Sequence, residues 1–301
     1  MTTGIKADWL ALDWGTTNLR VWAMSHNGAV LAQASSDDGM GKLGRDGYEA
    51  ALLALTAGWT QGPVIAIACG MVGSRQGWVE APYASTPCPP LPQGYVTAPT
   101  RTPGLSVHII PGIRQDHPAN VMRGEETQIA GFLALNPGWD GVLCLPGTHS
   151  KWVHVSAGEV VSFQTCMTGE LFATLSAHTV LRHTIGPDGW DDAAFLAALD
   201  TTLDHPERLS TALFSLRAEH LLHGLDPATA RARLSGLLIG AELAATRAYW
   251  RGQQIAIIGA GTVSKLYATA LATQSAPATL ADAQTVTLAG LTAAYHHLQG
   301  V

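Results

Sequence analysis

The chain has 301 residues, of which 47% are hydrophobic and only 13% charged, with a formal net charge of −6. That balance describes a folded globular protein long enough for two cores and excludes the disordered class. The negative charge argues against a nucleic-acid partner, and the apolar runs break before the ~18 residues that a membrane span needs.

"ALDWGTTNLRVW" (11–22) opens the pattern. An apolar strand ends at Asp13 and the chain turns through Trp14-Gly15-Thr16-Thr17-Asn18. Leu19, Val21 and Ala23 then alternate with Arg20, Trp22 and Met24 at the period of a second strand. Asn27-Gly28 is a hairpin signal, and residues 29–32 read as a third strand. This turn joins strand to strand, whereas a P-loop or a dinucleotide loop joins strand to helix. Next come an expected helix over 48–59, a buried strand over 64–69, a Pro- and Gly-rich loop over 82–104 and a strand over 105–110. A helix follows over 124–135 with Ile129, Phe132 and Leu133 on one face.

"VLCLPGTHSKWVHVSAGEVVSFQ" (142–164) repeats the opening: a strand over 142–145, the turn Pro146-Gly147-Thr148-His149-Ser150, a strand over 152–155, and Ala157-Gly158 leading into a third. Gly15-Thr16 maps on Gly147-Thr148 at an offset of 132, Asn18 on Ser150, and Asp13 on Leu145, so only the first turn carries a carboxylate. The same turn in the same three-strand meander, near the start of each half, implies two related α/β domains facing each other. Such turns suit a ligand held between domains, with both donating to phosphates and the carboxylate serving a metal ion. Residues 168–250 read as mostly helical, with breaks at Gly186-Pro187, His205-Pro206 and Asp226-Pro227. A strand (255–258), a helix (262–273) and a closing helix (288–298) complete the chain.

Three stretches add candidate chemistry. "IAIIGAGTVSKLYATAL" (255–271) is an imperfect dinucleotide fingerprint, read instead as a turn at Gly259, Ala260 and Gly261 that lets backbone approach a nucleotide base or ribose. "NVMRGEETQIAGFLAL" (120–135) places Glu125 and Glu126 in a first helical turn, where acids are ordinary dipole partners but can also take a proton from an attacking hydroxyl. "CGMVGSRQGWVEAPY" (69–83) offers Ser74, Arg75 and an expected exposed Trp78 to a sugar-like ligand, with Arg75 able to grip a carboxylate. Arg20, Arg114, Arg123 and Lys151 are further anion-binding candidates, while Arg231 and Arg233 read as helix surface. His149-Ser150 lacks a nucleophile elbow, which excludes a Ser-His hydrolase, and His296-His297 reads as a helix end. Cys69, Cys88, Cys144 and Cys166 show no metal or Cys-x-x-Cys spacing, and MTTGIKADW has no signal-peptide core, so a reduced cytoplasmic protein is expected.

Together "LDWGTTNLRVW", "GMVGSRQGW", "VMRGEETQ", "LPGTHSKW" and "GLLIGAEL" resemble the 2-dehydro-3-deoxygalactonokinase family of galactonate breakdown, within the superfamily of actin, heat-shock chaperones and sugar kinases. The resemblance implies two duplicated ribonuclease-H-like domains of the actin-like ATPase type, with an interdomain cleft and a mostly helical insertion in the second. The expected division is 1–122 on the substrate side and 123–301 on the nucleotide side, the closing helix being free to pack back on the first domain. The implied reaction is ATP-dependent phosphorylation of the 6-hydroxyl of 2-dehydro-3-deoxy-D-galactonate. Asp13 would position Mg²⁺ through water, and Gly15, Thr16, Thr17 and Asn18 would hold the γ- and β-phosphates. Gly147 and Thr148 would form the second clamp, and Gly259, Ala260 and Gly261 would contact adenosine. Glu125 matches the catalytic base best, with Glu126 second; Ser74, Arg75, Trp78, Arg20 and Lys151 fall on the substrate side. The alternatives are a kinase for another sugar or sugar acid, an actin-like conformational ATPase, and a dinucleotide-dependent enzyme, the last leaving the paired hairpins unexplained. A homodimer is compatible with the sequence.

Overall fold

The opening alternation folds as a hairpin. β1 (Trp9–Trp14) and β2 (Leu19–Met24) pair antiparallel, with Asp13 directly opposite Arg20, and β3 (Val30–Ser36) extends the ladder. The computed structural model describes residues 5–259 and 261–300. Its contacts group Met1–Trp139, Val155–Ser162 and Asp282–Val301 into one unit, and Asp140–His154 and Phe163–Ala281 into a second.

In the first unit the hairpin is followed by α1 (Tyr48–Leu55), β4 (Val64–Gly70), β5 (Tyr83–Ser85), β6 (Val96–Thr97), β7 (Leu105–Ile109), β8 (Gly112–Gln115), β9 (Asn120–Met122) and α2 (Glu125–Leu135). The main sheet has the order β3-β2-β1-β4-β7-β6, with β4 parallel to β1 and β7 parallel to β4; β5, β8 and β9 form a separate sheet. The expected helix over 48–59 stops at Leu55, because the Thr56 hydroxyl donates back to the Leu52 carbonyl at 2.9 Å and Gly58 turns left-handed at φ +80°. Strands β5 and β6 lie inside the expected loop over 82–104.

The second unit, with the stretch Val155–Ser162 of β11 and β12 grouping instead with the first, runs through β10 (Gly141–Leu145), β11 (Ser150–Ser156), β12 (Glu159–Cys166), α3 (Thr168–His178), α4 (Asp192–Asp204), α5 (Leu209–His223), α6 (Pro227–Ala245), α7 (Arg247–Trp250), β13 (Ile255–Ile258), α8 (Gly261–Thr273) and β14 (Ala278–Ala281). Its sheet has the order β12-β11-β10-β13-β14, with β13 parallel to β10 and β14 parallel to β13. Both main sheets thus run third strand, second, first, and then two parallel strands. The helix starts follow from local chemistry: Asp191 caps α4 through Ala194 N–H, and Asp226 caps α6 through Ala228 and Thr229 N–H ahead of Pro227. Gly236 and Gly240 of α6 touch the α4 backbone, where a Cβ on either would sit 2.3 Å from a carbonyl oxygen of Phe195 or Leu199.

Both faces of the first sheet are buried, as expected of a sheet covered on two sides. Leu10, Leu12 and Trp14 pack with Tyr48 and Leu52 of α1, while Trp9 and Ala11 pack with Ile67 and with Leu291, Ala294 and Tyr295 of α9 (Ala283–Gln299). Trp9 stacks on Tyr295 with ring centroids 4.4 Å apart. α2 and α9 meet backbone to backbone: a Cβ at Gly131 would lie 1.8 Å from the Val286 oxygen, and one at Gly290 1.9 Å from the Thr127 oxygen. This contact groups α2 with the first unit and displaces the division expected after residue 122 to Trp139. Among the described residues, no helix is long and apolar enough to cross a membrane.

Candidate active site

Side chains on one face of a strand are two residues apart, so Trp9, Ala11 and Asp13 share the β1 face that α9 covers. Asp13 is the polar end of that apolar row and is half-buried. Arg20 Nη2 donates to Asp13 Oδ2 across the ladder, and the Cys69 thiol points to Oδ1 at 3.9 Å from the neighbouring β4 position. Burial raises the Asp13 pKa, the Arg20 charge and hydrogen bond oppose that, and the nearby Glu125 charge raises it further. Arg20, read as a substrate ligand, is therefore engaged by Asp13.

The turn after Asp13 is braced by a segment that the sequence reading passed over. Met40, Gly41 and Gly39 N–H donate to the carbonyls of Gly15, Thr16 and Thr17 at 3.0, 2.9 and 3.1 Å. A Cβ at Gly39 would lie 2.2 Å from the Thr17 carbonyl carbon, so only glycine admits this approach. With its carbonyls held from behind, the turn leaves Thr16, Thr17 and Asn18 exposed.

The start of α2 lies at the same strand ends. Gly70 ends β4 at φ +92°, where a Cβ would meet the Trp14 oxygen at 2.7 Å, and Gly124, at φ +108°, packs on the Gly70 backbone. Glu126 is fully buried, with Oε2 accepting from Gly124 N–H at 2.6 Å and Oε1 from the Thr127 hydroxyl at 3.3 Å. Burial, with the Glu125 charge adding to it, pushes its pKa up to about 7. Glu125 is half-buried, and its Oε2 accepts from Arg123 N–H at 3.1 Å.

The three residues of the 69–83 stretch have different fates. Arg75 is exposed, 3.6 Å from Glu80. Ser74 is buried and, among the described residues, its hydroxyl has no hydrogen-bond partner. Trp78 is not the exposed indole expected: it is 4% exposed and stacks on Tyr48 at 5.8 Å, edge-on to Trp14. Three aromatics distant in sequence close that core, which removes Trp78 from any ligand surface.

In the second unit, a cavity of about 890 Å³ is lined by Gly147, Thr148, Thr168, Gly169, Trp190 and Thr262 among others. Gly147 and Thr148 are exposed at the end of β10. A Cβ at Gly169 would lie 2.3 Å from the Gly147 oxygen, and Glu170 N–H donates to the Thr148 carbonyl at 3.0 Å, so the start of α3 abuts this turn. Gly261 and Thr262 open α8 on the same cavity, and Gly259 packs on the Ser264 hydroxyl, where a Cβ would lie 2.1 Å away. Ala260 lies outside the described residues. Two helix starts and a glycine turn present backbone N–H groups, the usual setting for phosphate. Two sequence readings are corrected here. Lys151 is buried in β11 and does not line the cavity, whereas Arg231 does, donating to the Gly186 carbonyl at 3.2 Å with its guanidinium 5.1 Å from the Phe172 ring. Trp190, Arg231 and the His149–Glu170 pair (2.5 Å) carry no local motif that would have singled them out.

Residues 13–294 match the family described as 2-keto-3-deoxy-galactonokinase. A relative from Rhizobium meliloti (strain 1021), named a probable 2-dehydro-3-deoxygalactonokinase, is 40% identical over 297 residues, covering 94% of this chain and 95% of its own. The 2-dehydro-3-deoxygalactonokinase of Escherichia coli (strain K12) is 37% identical over 260 residues, covering 86% and 87%. A crystal structure from Sinorhizobium meliloti, 38% identical, superposes with a TM-score of 0.87 over 97% of each chain. The chain therefore belongs to the 2-keto-3-deoxy-galactonokinase family.

Proposed function

We propose that the protein transfers the γ-phosphoryl group of ATP to the 6-hydroxyl of 2-dehydro-3-deoxy-D-galactonate. The observation that carries this reading is the meeting, at the ends of β1 and β4, of an exposed Gly-Thr-Thr turn, the half-buried Asp13 and the acidic start of α2. With it goes the finer architecture of two duplicated ribonuclease-H-like halves.

Phosphoryl transfer needs little covalent chemistry from a protein, so most of the barrier falls through positioning and electrostatics. The turn at Gly15, Thr16, Thr17 and Asn18, with Gly147 and Thr148, supplies N–H and hydroxyl donors to the phosphates. The helix starts at Thr168-Gly169 and Gly261-Thr262 hold the rest of the nucleotide, and the cavity takes its base. Asp13 fits a magnesium ion as a hard oxygen donor at the mouth of a phosphate turn. Among the described residues no group of three or more His, Cys, Asp and Glu side chains is placed to hold a metal, so one carboxylate would be completed by phosphate oxygens and water, the arrangement Mg²⁺ favours. When bound, the ion neutralises charge on the phosphoryl oxygens.

Glu125 takes the proton of the attacking hydroxyl. It is half-buried, whereas Glu126 is fully buried and accepts from the Gly124 N–H and the Thr127 hydroxyl. The exposed Arg75 pairs with the sugar-acid carboxylate, exchanging its long contact with Glu80 for a charge-assisted one. The test is ADP release with ATP and a panel of keto-deoxy sugar acids. Release is expected with the galactonate-derived acid and not without an acceptor; brisk acceptor-independent turnover would refute the assignment.

A further inference from the structure

We propose that Glu242, which does not line the cavity, is a positioning residue that sets nucleotide affinity by fixing three segments that do. The proposal rests on the nucleotide reading of that cavity.

Glu242 lies on α6 and is 4% exposed. Its Oε1 accepts from the Trp152 indole N–H at 2.7 Å, and its Oε2 accepts from the Tyr267 hydroxyl at 2.7 Å and from the Thr168 hydroxyl. The Tyr267 oxygen in turn lies 2.9 Å from Ser150 Oγ. The four side chains divide among three walls. Ser150 and Trp152 follow the Gly147-Thr148 turn directly, Thr168 is the first residue of α3, and Tyr267 stands on α8 beyond Gly261 and Thr262.

An ionised carboxylate can only accept, so every neighbour must turn an N–H or O–H toward it. Once Tyr267 has donated to Glu242, its oxygen accepts from Ser150. One buried anion therefore fixes the orientation of four side chains on three segments, and such a network is stable only when every member is satisfied. Burial raises the Glu242 pKa, with the Thr168, Trp152, Tyr267 and Ser150 hydrogen bonds opposing it. An amide here presents N–H to a donor, and at least one segment loses its anchor.

The experiment is Glu242→Gln, with KM measured separately for ATP and sugar acid and a non-hydrolysable ATP analogue titrated by calorimetry. The KM for ATP and the analogue Kd are expected to rise about tenfold, with the KM for sugar acid within twofold. A residue that merely fills the core would lower Tm and leave both KM values alone, and that result overturns the proposal, as does an equal rise in both. Should Glu242→Gln not fold, Thr168→Val is expected to weaken the analogue about tenfold and Thr168→Ser to restore it; equal Kd values for the two refute the idea. If the native protein itself fails to bind the analogue, the nucleotide reading falls and this inference with it. Native binding with unchanged variants sinks the inference alone.

Discussion

At the end of β1 the chain places a carboxylate in front of its turn; at the end of β10 the row closes on Cys144 and Leu145, and the carboxylate, Glu242, stands behind the turn on a helix. Asp13 keeps a partly open side and is held by one arginine and a thiol, whereas Glu242 is sealed among hydroxyl and indole donors. Two sheets that share a five-strand order therefore hold an acid in opposite ways. An acid that meets a ligand must keep unfilled acceptor capacity, and one that organises a wall must have all of it filled.

The sharpest way to break this contrast is Asp13→Asn. If Asp13 acts on the phosphates through a cation, kcat falls by roughly 10³-fold while the KM for sugar acid stays within about threefold. A loss under tenfold in the coupled ADP assay would put Asp13 in the same architectural class as Glu242. Glu125→Gln and Glu126→Gln refine the comparison within the first unit. The former is expected to lower kcat about 10²-fold and the latter by less than tenfold; the reverse order would move the base role to the buried residue.

The same pair predicts a pH effect on stability. Glu126 has a folded pKa near 7, above the ordinary carboxylate value of 4.5, so the folded state retains a proton that the unfolded chain gives up between those values. Glu126 therefore destabilises the fold progressively from about pH 4.5 to 7, and fully above that, by on the order of 3 kcal/mol. Glu126→Gln should lose most relative to the native protein at pH 5 and recover relative stability by pH 8 in urea titrations. A difference that does not vary with pH would show that the folded pKa is not raised above its unfolded value. Arg75→Ala is expected to raise the KM for the sugar acid about tenfold with kcat nearly unchanged. Unchanged KM would leave Arg75 as solvated surface.

What the residues disclosed locally, the structure kept. Period-two alternation around Gly15-Thr16 and Gly147-Thr148 located both hairpins, and the proline breaks located the helices of the second unit. Strands β5, β8, β9 and β14, of three or four residues each, are too short to carry a period. The errors came where tertiary partners decide. Trp78 sits in a polar stretch, and nothing nearby announces Tyr48 and Trp14 as its cover. Lys151 follows the Gly147-Thr148 turn in sequence, yet both faces of β11 are buried there and Lys151 is buried with them. Glu242 occupies an apolar helical run in which a lone acid has no local signal, and the four side chains of its network span residues 150 to 267.

The glycine contact between α2 and α9 has a consequence for biosynthesis. The helix that carries Glu125 and Glu126 rests on a partner synthesised about 150 residues later. On the ribosome, the acid-bearing end of the first sheet must wait without its cover until α9 emerges, so the two mature together. A chain released a helix early would retain every candidate catalytic side chain and still lack the surface that aligns them.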